Sequence, residues 1–229
     1  VEGLLDKKYA RRRAALIDRS HAARSVDHGD PGLEHGDTTF LVTADASGMM
    51  VSLIQSNYDG FGSGYVVPEL GFGIQNRGAL FNLDPEHPNA LEPGKRPFHT
   101  IIPAFAGENG SPNIAFGVMG GSMQPQGHAQ IIINLVDFGM NLQEAGDAAR
   151  ARHLGSSQPT GTAMTDGGRV ALESGVPDEV RSELIRRGHV LMRGSRVSFG
   201  GYQAIRRDPN TGVYAGATES RKDGIAAGF

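Results

Sequence analysis

Two stretches of the chain hold residue types suited to acyl-group chemistry. In the first, Asp37-Thr38-Thr39, a pair of hydroxyls stands where a glycine-rich stretch gives way to a run of β-branched and aromatic residues. A threonine hydroxyl is a weak nucleophile without an adjacent base, but a threonine at a chain terminus carries its own, an α-amine with a pKa of roughly 7.7–8.0. Exposing that amine requires cleavage between Asp37 and Thr38. In the second, Val118-Met119-Gly120-Gly121-Ser122, adjacent glycines lie between a predicted strand and a predicted helix. There they can turn successive N–H groups toward one oxygen, with the helix start adding positive potential. Threonines are also common at strand starts, and a Gly-Gly pair also makes a tight strand-to-helix turn, so neither segment decides the chemistry alone.

Other chemistries are narrower. With no cysteine, disulfides, thiolate zinc sites and a cysteine nucleophile are excluded. His28-Gly29-Asp30 and His35-Gly36-Asp37 have ligand types that suit a divalent ion, which keeps a metal hydrolase as an alternative. Both motifs fall in a glycine-rich loop and the other histidines are scattered, so neither a metal nor another cofactor is expected. A formal charge of −3 creates no field to gather nucleic acid or an anionic membrane, and the basic group Lys7, Lys8, Arg11, Arg12 and Arg13 reads as a solvated helix face. No apolar run reaches the roughly 18–20 residues of a membrane-spanning helix. The first residue is Val1, not Met, and no secretion signal follows. The chain is therefore expected to start inside a longer precursor, leaving a cytoplasmic, periplasmic or secreted location open.

Several elements must position the two segments. Periodicity predicts a helix over Leu4–Arg19, then a loop over Asp27–Asp37. A β-hairpin follows, Thr39–Asp45 and Met49–Gln55 around Ala46-Ser47-Gly48. A short strand is expected within Phe72–Phe81, before a proline-rich stretch from Pro85 to Pro97. Next come strands at Ile101–Phe105 and Ile114–Met119, a helix over Gln126–Phe138 with Ile131, Ile132, Leu135 and Val136 inward, and a helix over Leu142–Arg152. The remainder reads as a strand at Val170–Glu173, a helix over Pro177–Arg187 closed by Gly188, and strands near Val190, at Gln203–Arg206 and at Val213–Ala217. Strands, helices and strands in that order indicate a layered α+β fold.

Taken in order, seven segments resemble the gamma-glutamyltranspeptidase family of N-terminal-nucleophile (Ntn) hydrolases: His35–Phe40, Asp45–Gly48, Phe61–Gly64, Pro93–Pro97, Gly117–Gly121, Asp137–Asn141 and Asp223–Phe229. The resemblance implies part of a four-layered αββα sandwich with antiparallel sheets, residues 1–37 being the tail of a large subunit and 38–229 the small catalytic subunit. It implies a precursor that cleaves itself before Thr38, after which the Thr38 hydroxyl forms an acyl-enzyme and the amides of Gly120 and Gly121 hold the oxyanion. Ser56 stands where the family has a second threonine bonded to the nucleophile. The rest of the large subunit, which supplies a carboxylate-binding arginine, would be a partner, and without it core faces would be uncovered. A homo-oligomer is also possible.

In the substrate-binding positions the chain departs from true gamma-glutamyl enzymes. Leu80 occupies the place of the acid that grips the substrate ammonium, Arg77 replaces a glutamine, Tyr58 an asparagine, and His99 and Thr100 two serines. Losing a carboxylate and gaining a guanidinium suits an acid-bearing acyl group, as in the acylase branch, unless Arg77 serves a structural ion pair. The substrate would then be a small-molecule amide. A true gamma-glutamyltransferase or glutathione hydrolase, and an unprocessed non-catalytic fragment or pseudoenzyme, remain alternatives. Asp147-Ala148-Ala149-Arg150 departs from a family motif that has proline and phenylalanine around the arginine.

Overall fold

A computed structural model describes residues 7–25, 37–108, 110–155 and 164–229. The loop with His28 and His35, and most of the polar stretch before Asp166, lie outside the described residues.

Strands β1 (Asp37–Ala44) and β2 (Met50–Tyr58) form the expected hairpin. Its turn is held by Asp45, whose carboxylate accepts from Ser47 N at 2.9 Å, Ser47 Oγ at 2.6 Å and Met49 N at 3.2 Å. Gly48 supplies the left-handed conformation the reversal needs, at φ 94°.

A second sheet runs β3-β4-β8-β9, all antiparallel: Ala104–Glu108, Ser111–Met119, Gly201–Arg207 and Tyr214–Thr218. β3 begins three residues later than expected. Pro103 has no N–H to donate, and Ile102 N is taken by the Gln124 side chain at 3.0 Å, so pairing starts only at Ala104. A third sheet joins β5 (Ala151–Leu154), β6 (Arg169–Leu172) and β7 (Leu191–Arg193). Its β6–β7 pair is parallel.

Among the helices, α1 (Lys7–Ala14) ends five residues before the expected Arg19, residues 4–6 of that expectation lying outside the described residues; it buries no described residue and leaves Leu16 and Ile17 exposed beyond its end. α2 (Met123–Val136) starts three residues earlier than the pattern suggested, because Pro125 falls in the first turn, where its missing N–H costs nothing. Its buried stripe is Met123, Gly127 and Ile131, so Val136 lies off that face and is 72% exposed, not inward. α3 (Leu142–Asp147) opens with a capping box between Asn141 and Glu144 but stops well before Arg152. α4 (Asp178–Arg186) begins after Pro177. Within Phe72–Phe81 no strand forms; Gly73 makes one isolated bridge with Val66, and Arg77–Leu80 is a 3₁₀ turn.

Buried charge ends α3 early. Arg150, 1% exposed, pairs with Glu219 at 2.9 Å and donates to the carbonyls of Phe199 and Gly146. Arg221 bonds Glu219 and Glu173 and the carbonyls of Gly146 and Ala148. Continuing the helix would pull Arg150 from these partners. The Asp147–Arg150 segment is thus a structural joint that ties the end of β9 to α3, and Gly146 is glycine because an added Cβ would come within 2.5 Å of the Tyr202 ring.

The hairpin lies on one face of the four-stranded sheet, with Phe40 against Gly117, where a Cβ would come within 2.6 Å of the ring. On the other face α2 and α3 enclose the core of Phe116, Val118, Ile131, Leu142, Tyr202, Ala204 and Ala217. The resulting order, helix–sheet–sheet, is three layers of the αββα sandwich. The hairpin's outward face keeps Leu41, Val51 and Leu53 exposed at 42–45%, and no described element covers it.

Candidate active site

Thr38 sits near the start of β1 on the hairpin's inner face, 5% exposed. Its Oγ1 donates to Ser56 Oγ at 3.0 Å, and Ser56 Oγ also accepts from Tyr58 N at 2.9 Å. These bonds close over an irregularity. Asp37 pairs with Tyr58 but Thr38 with Ser56, so Asn57 is an extra residue bulged opposite the Asp37–Thr38 peptide. Tyr58 follows the bulge at φ 80°, the one non-glycine with positive φ among the described residues. Such a conformation costs on the order of 1–3 kcal/mol and is kept only where surroundings enforce it.

Gly120 and Gly121 have φ 128° and 58°. Their carbonyls accept from Met123 N and Gln124 N, both at 3.1 Å, which directs the carbonyls into the helix start. Neither glycine amide has an acceptor among the described residues. No side chain fits at Gly120, where a Cβ would lie 2.9 Å from the Gly200 Cα.

Three contacts decide whether this turn and Thr38 share one end of the molecule. At the far end of β1, Tyr214 Oη donates to Asp45 O at 2.9 Å; Tyr214 pairs with Arg207, one residue past Arg206, whose partner Ile114 lies near the start of β4. Midway, Ser52 Oγ lies 3.4 Å from the Phe116 carbonyl and accepts from Ala104 N at 3.1 Å. Ser56 is four residues further along β2 and Gly120 four further along the β4 direction, each about 13 Å at a strand's rise. Thr38, Ser56 and the glycine turn therefore lie at the same end of the two packed sheets.

Arg77 opens the 3₁₀ turn of a loop stapled to the same hairpin end, through Asn76 N to Asn57 O at 3.1 Å and Asp59 N to Asn76 Oδ1 at 3.2 Å. Arg77 is 7% exposed, its Cζ is 5.2 Å from the Tyr58 ring centroid, and its buried Nη1 has no hydrogen-bond partner among the described residues. No described carboxylate pairs with it, so the structural ion pair considered above is not formed among the described residues. Burial pulls its pKa down. Leu80 is 3% exposed, within the core. Thr100 is buried, and Ile102 two residues on is tied to Gln124 in the first turn of α2; His99 is exposed, not buried. A cleft of about 820 Å³ between β1, β8, β9 and Asp223–Phe229 includes none of these residues except through their neighbours on β1.

Sequence reasoning passed over the residues behind the glycine turn: Gly200, Gln124, Gln126, Gln130 and Arg152. Two glutamines four residues apart on a helix were the available signal.

Compared with known proteins, the chain matches the family described as Gamma-glutamyltranspeptidase over residues 1–229. The chain belongs to this family. Oxamate amidohydrolase proenzyme of Klebsiella pneumoniae is 39% identical over 199 residues, covering 85% of this chain and 36% of the relative. The crystal structure of cephalosporin acylase from Bacillus halodurans superposes with a TM-score of 0.83 at 45% identity, over 99% of this chain and 39% of that one. A gamma-glutamyltranspeptidase from Pseudomonas nitroreducens, solved with L-DON, gives 0.70 at 26% identity, over 83% of this chain and 99% of that one. The chain spans less than half the length of the curated relatives it matches. Among family members, identity is higher to the acylase and the amidohydrolase than to this transpeptidase. No helix among the described residues is long and apolar enough to cross a membrane.

Proposed function

We propose that this chain carries the catalytic centre of an N-terminal-threonine amide hydrolase, residues 1–37 ending the large subunit and residues 38–229 forming the small one. The supporting observation is that Thr38, hydrogen-bonded to Ser56 beside a bulge, lies at the same end of the sandwich as two glycine amides with no acceptor among the described residues.

In the continuous chain Thr38 nitrogen is a peptide nitrogen and no base. Attack of Thr38 Oγ1 on the Asp37 carbonyl carbon forms an ester as the C–N bond breaks and the amine is freed; water then hydrolyses the ester, releasing the Asp37 carboxylate and restoring the Thr38 hydroxyl. In turnover the amine takes the hydroxyl proton as Oγ1 attacks the substrate amide carbon, then returns it to the leaving amine. The tetrahedral oxyanion is held by the Gly120 and Gly121 amides, each donor being worth ~3 kcal/mol of barrier. Water resolves the acyl-enzyme. Ser56, accepting from Thr38 and from Tyr58 N, orients the nucleophile.

The acyl group is read as acid-bearing. Arg77 is a buried cation with no carboxylate partner among the described residues and Tyr58 flanks it, while Thr100 and His99 are assigned to substrate binding by the family resemblance alone. A gamma-glutamyl group would need a carboxylate for its ammonium, and Leu80 cannot give one. Two relatives bear the names oxamate amidohydrolase and cephalosporin acylase, which fits this reading. As partner, the rest of the large subunit would cover the hairpin's exposed face.

The test is intact-mass analysis of the full-length protein before and after incubation. A new chain beginning at Thr38, absent in Thr38→Ala, supports the reading; an uncut, inactive wild type would establish the pseudoenzyme. Faster hydrolysis of glutaryl- than of γ-glutamyl-p-nitroanilide separates the acylase from the gamma-glutamyl enzyme.

A further inference from the structure

Arg152 takes no part in the chemistry above, yet it is 4% exposed directly behind the oxyanion turn. Its Nη2 donates to Ser122 Oγ at 3.2 Å and its Nη1 to the Ser198 carbonyl at 3.0 Å. Ser122 follows Gly121, and Ser198 stands two residues before Gly200. Between these two points Gly120 and Gly200 pack backbone on backbone: a Cβ on Gly200 would come within 2.5 Å of the Met119 carbonyl oxygen. One planar guanidinium thus spans both sides of the closest approach, a geometry its rigid fork suits.

Ser122 shows that the contact has displaced a local one. It stands at the cap of α2, where a serine hydroxyl ordinarily accepts from the first free N–H groups, but it has helical φ and ψ and makes no capping bond. Its hydroxyl faces Arg152 instead.

Arg152 is itself held firmly. On its two sides, Ala151 N donates to Gln130 Oε1 at 2.9 Å and Gln130 Nε2 to Ala151 O at 2.9 Å; His153 N donates to Gln126 Oε1 at 2.7 Å and Gln126 Nε2 to His153 O at 3.1 Å. Four residues of helix rise about 6 Å, close to the two-residue step of a strand, so the glutamines act as a pseudo-strand on the outer edge of β5. The inner edge pairs with β6, Arg152 opposite Ala171. The links run from the second and third turns of α2 to β5, through Arg152, and back to the first turn of the same helix.

We infer that Arg152 is a positioning residue for oxyanion stabilisation, fixing the Gly120 and Gly121 amides through Ser122 and Ser198. The inference rests on the reading of Thr38 as nucleophile. It is tested in the full-length processed enzyme with glutaryl-p-nitroanilide, in Arg152→Lys, Arg152→Met, Ser122→Ala and the double variant Arg152→Met/Ser122→Ala. Arg152→Met should lower kcat by about 10- to 100-fold with KM within about 3-fold, as expected for a donor misplaced by a fraction of an ångström. Arg152→Lys, which reaches one acceptor only, should fall between it and wild type. Ser122→Ala should lower kcat by about 3- to 10-fold alone and add nothing to Arg152→Met. Affinity for a glutaryl-like boronic acid, which forms a tetrahedral adduct on the nucleophile, should fall in step with kcat, while affinity for glutarate stays unchanged.

Wild-type kcat in a folded, processed Arg152→Met, or additive losses with Ser122→Ala, would overturn the inference. Should Arg152 variants not process, Ser122→Ala decides: reduced kcat and boronate affinity support it, and unchanged values overturn it. Activity surviving in Thr38→Ala would instead sink the nucleophile reading, whatever Arg152 does.

Discussion

Each residue of the proposed Thr38 centre has a task that can be isolated. Ser56 Oγ is the only described acceptor for Thr38 Oγ1, so Ser56→Ala should lower kcat about 10- to 100-fold by releasing the nucleophile's rotamer, whereas Ser56→Thr keeps the oxygen and most of the rate. Steady-state kinetics on processed enzyme checks this. Arg77 should act on binding. A charge-assisted bond to a substrate carboxylate is worth about 1.5–3 kcal/mol, so Arg77→Met should raise KM for a glutaryl anilide by about 10- to 100-fold and leave an uncharged acyl anilide little changed. Equal losses on both substrates would mean that Arg77 serves the fold.

At the scale of elements, α2 carries the first turn that shapes the glycine amides and the residues that hold its own place. His128 on this helix accepts a hydrogen bond from Val118 N at 3.0 Å, closing a β4 amide that β3 is too short to reach. The imidazole must be neutral to accept, and burial pulls its pKa down to about 4. The unfolded chain takes up this proton near pH 6.5, while the folded one refuses it until about pH 4. Stability should therefore fall as pH drops from about 6.5 to 4, by an upper limit on the order of 3 kcal/mol. Thermal melts across that window should show the slope, and His128→Gln should flatten it. Gly120→Ala tests the turn at β4's end: with φ 128° and a Cβ 2.9 Å from Gly200 Cα, the turn must move, and kcat should drop by at least about 100-fold.

For the whole molecule, two features dominate. The Arg150–Glu219–Arg221–Glu173 cluster joins α3, β5, β6 and the chain after β9, and removing one charge strands the others in the interior. Arg150→Met should cost about 3–5 kcal/mol in chemical denaturation, more than its lost contacts would suggest. The exposed Leu41, Val51 and Leu53, with both hairpin edges open among the described elements, are the face for the proposed large-subunit layer. The chain produced alone should bind a hydrophobic dye strongly, and co-production with the remainder should abolish that binding.

Local patterns determined much of this protein. The hairpin was legible because alternation and an Asp-Ala-Ser-Gly turn are short-range signals, and Thr38, Ser56 and the glycine pair could be proposed as site residues because short motifs in a fixed order carry the family resemblance. Tertiary structure decided what depends on distant partners. It cut the predicted Leu142–Arg152 helix in two because Arg150 answers to Glu219, made a strand of Ala151–Leu154 because Gln126 and Gln130 complete its edge, and kept Phe72–Phe81 out of any sheet. It buried Thr100 and exposed His99, one residue apart on an irregular segment where no periodicity assigns a face. The bulge beside Thr38 and the guanidinium behind Gly121 were invisible for the same reason: both arise from segments far apart in sequence whose fit is set by packing.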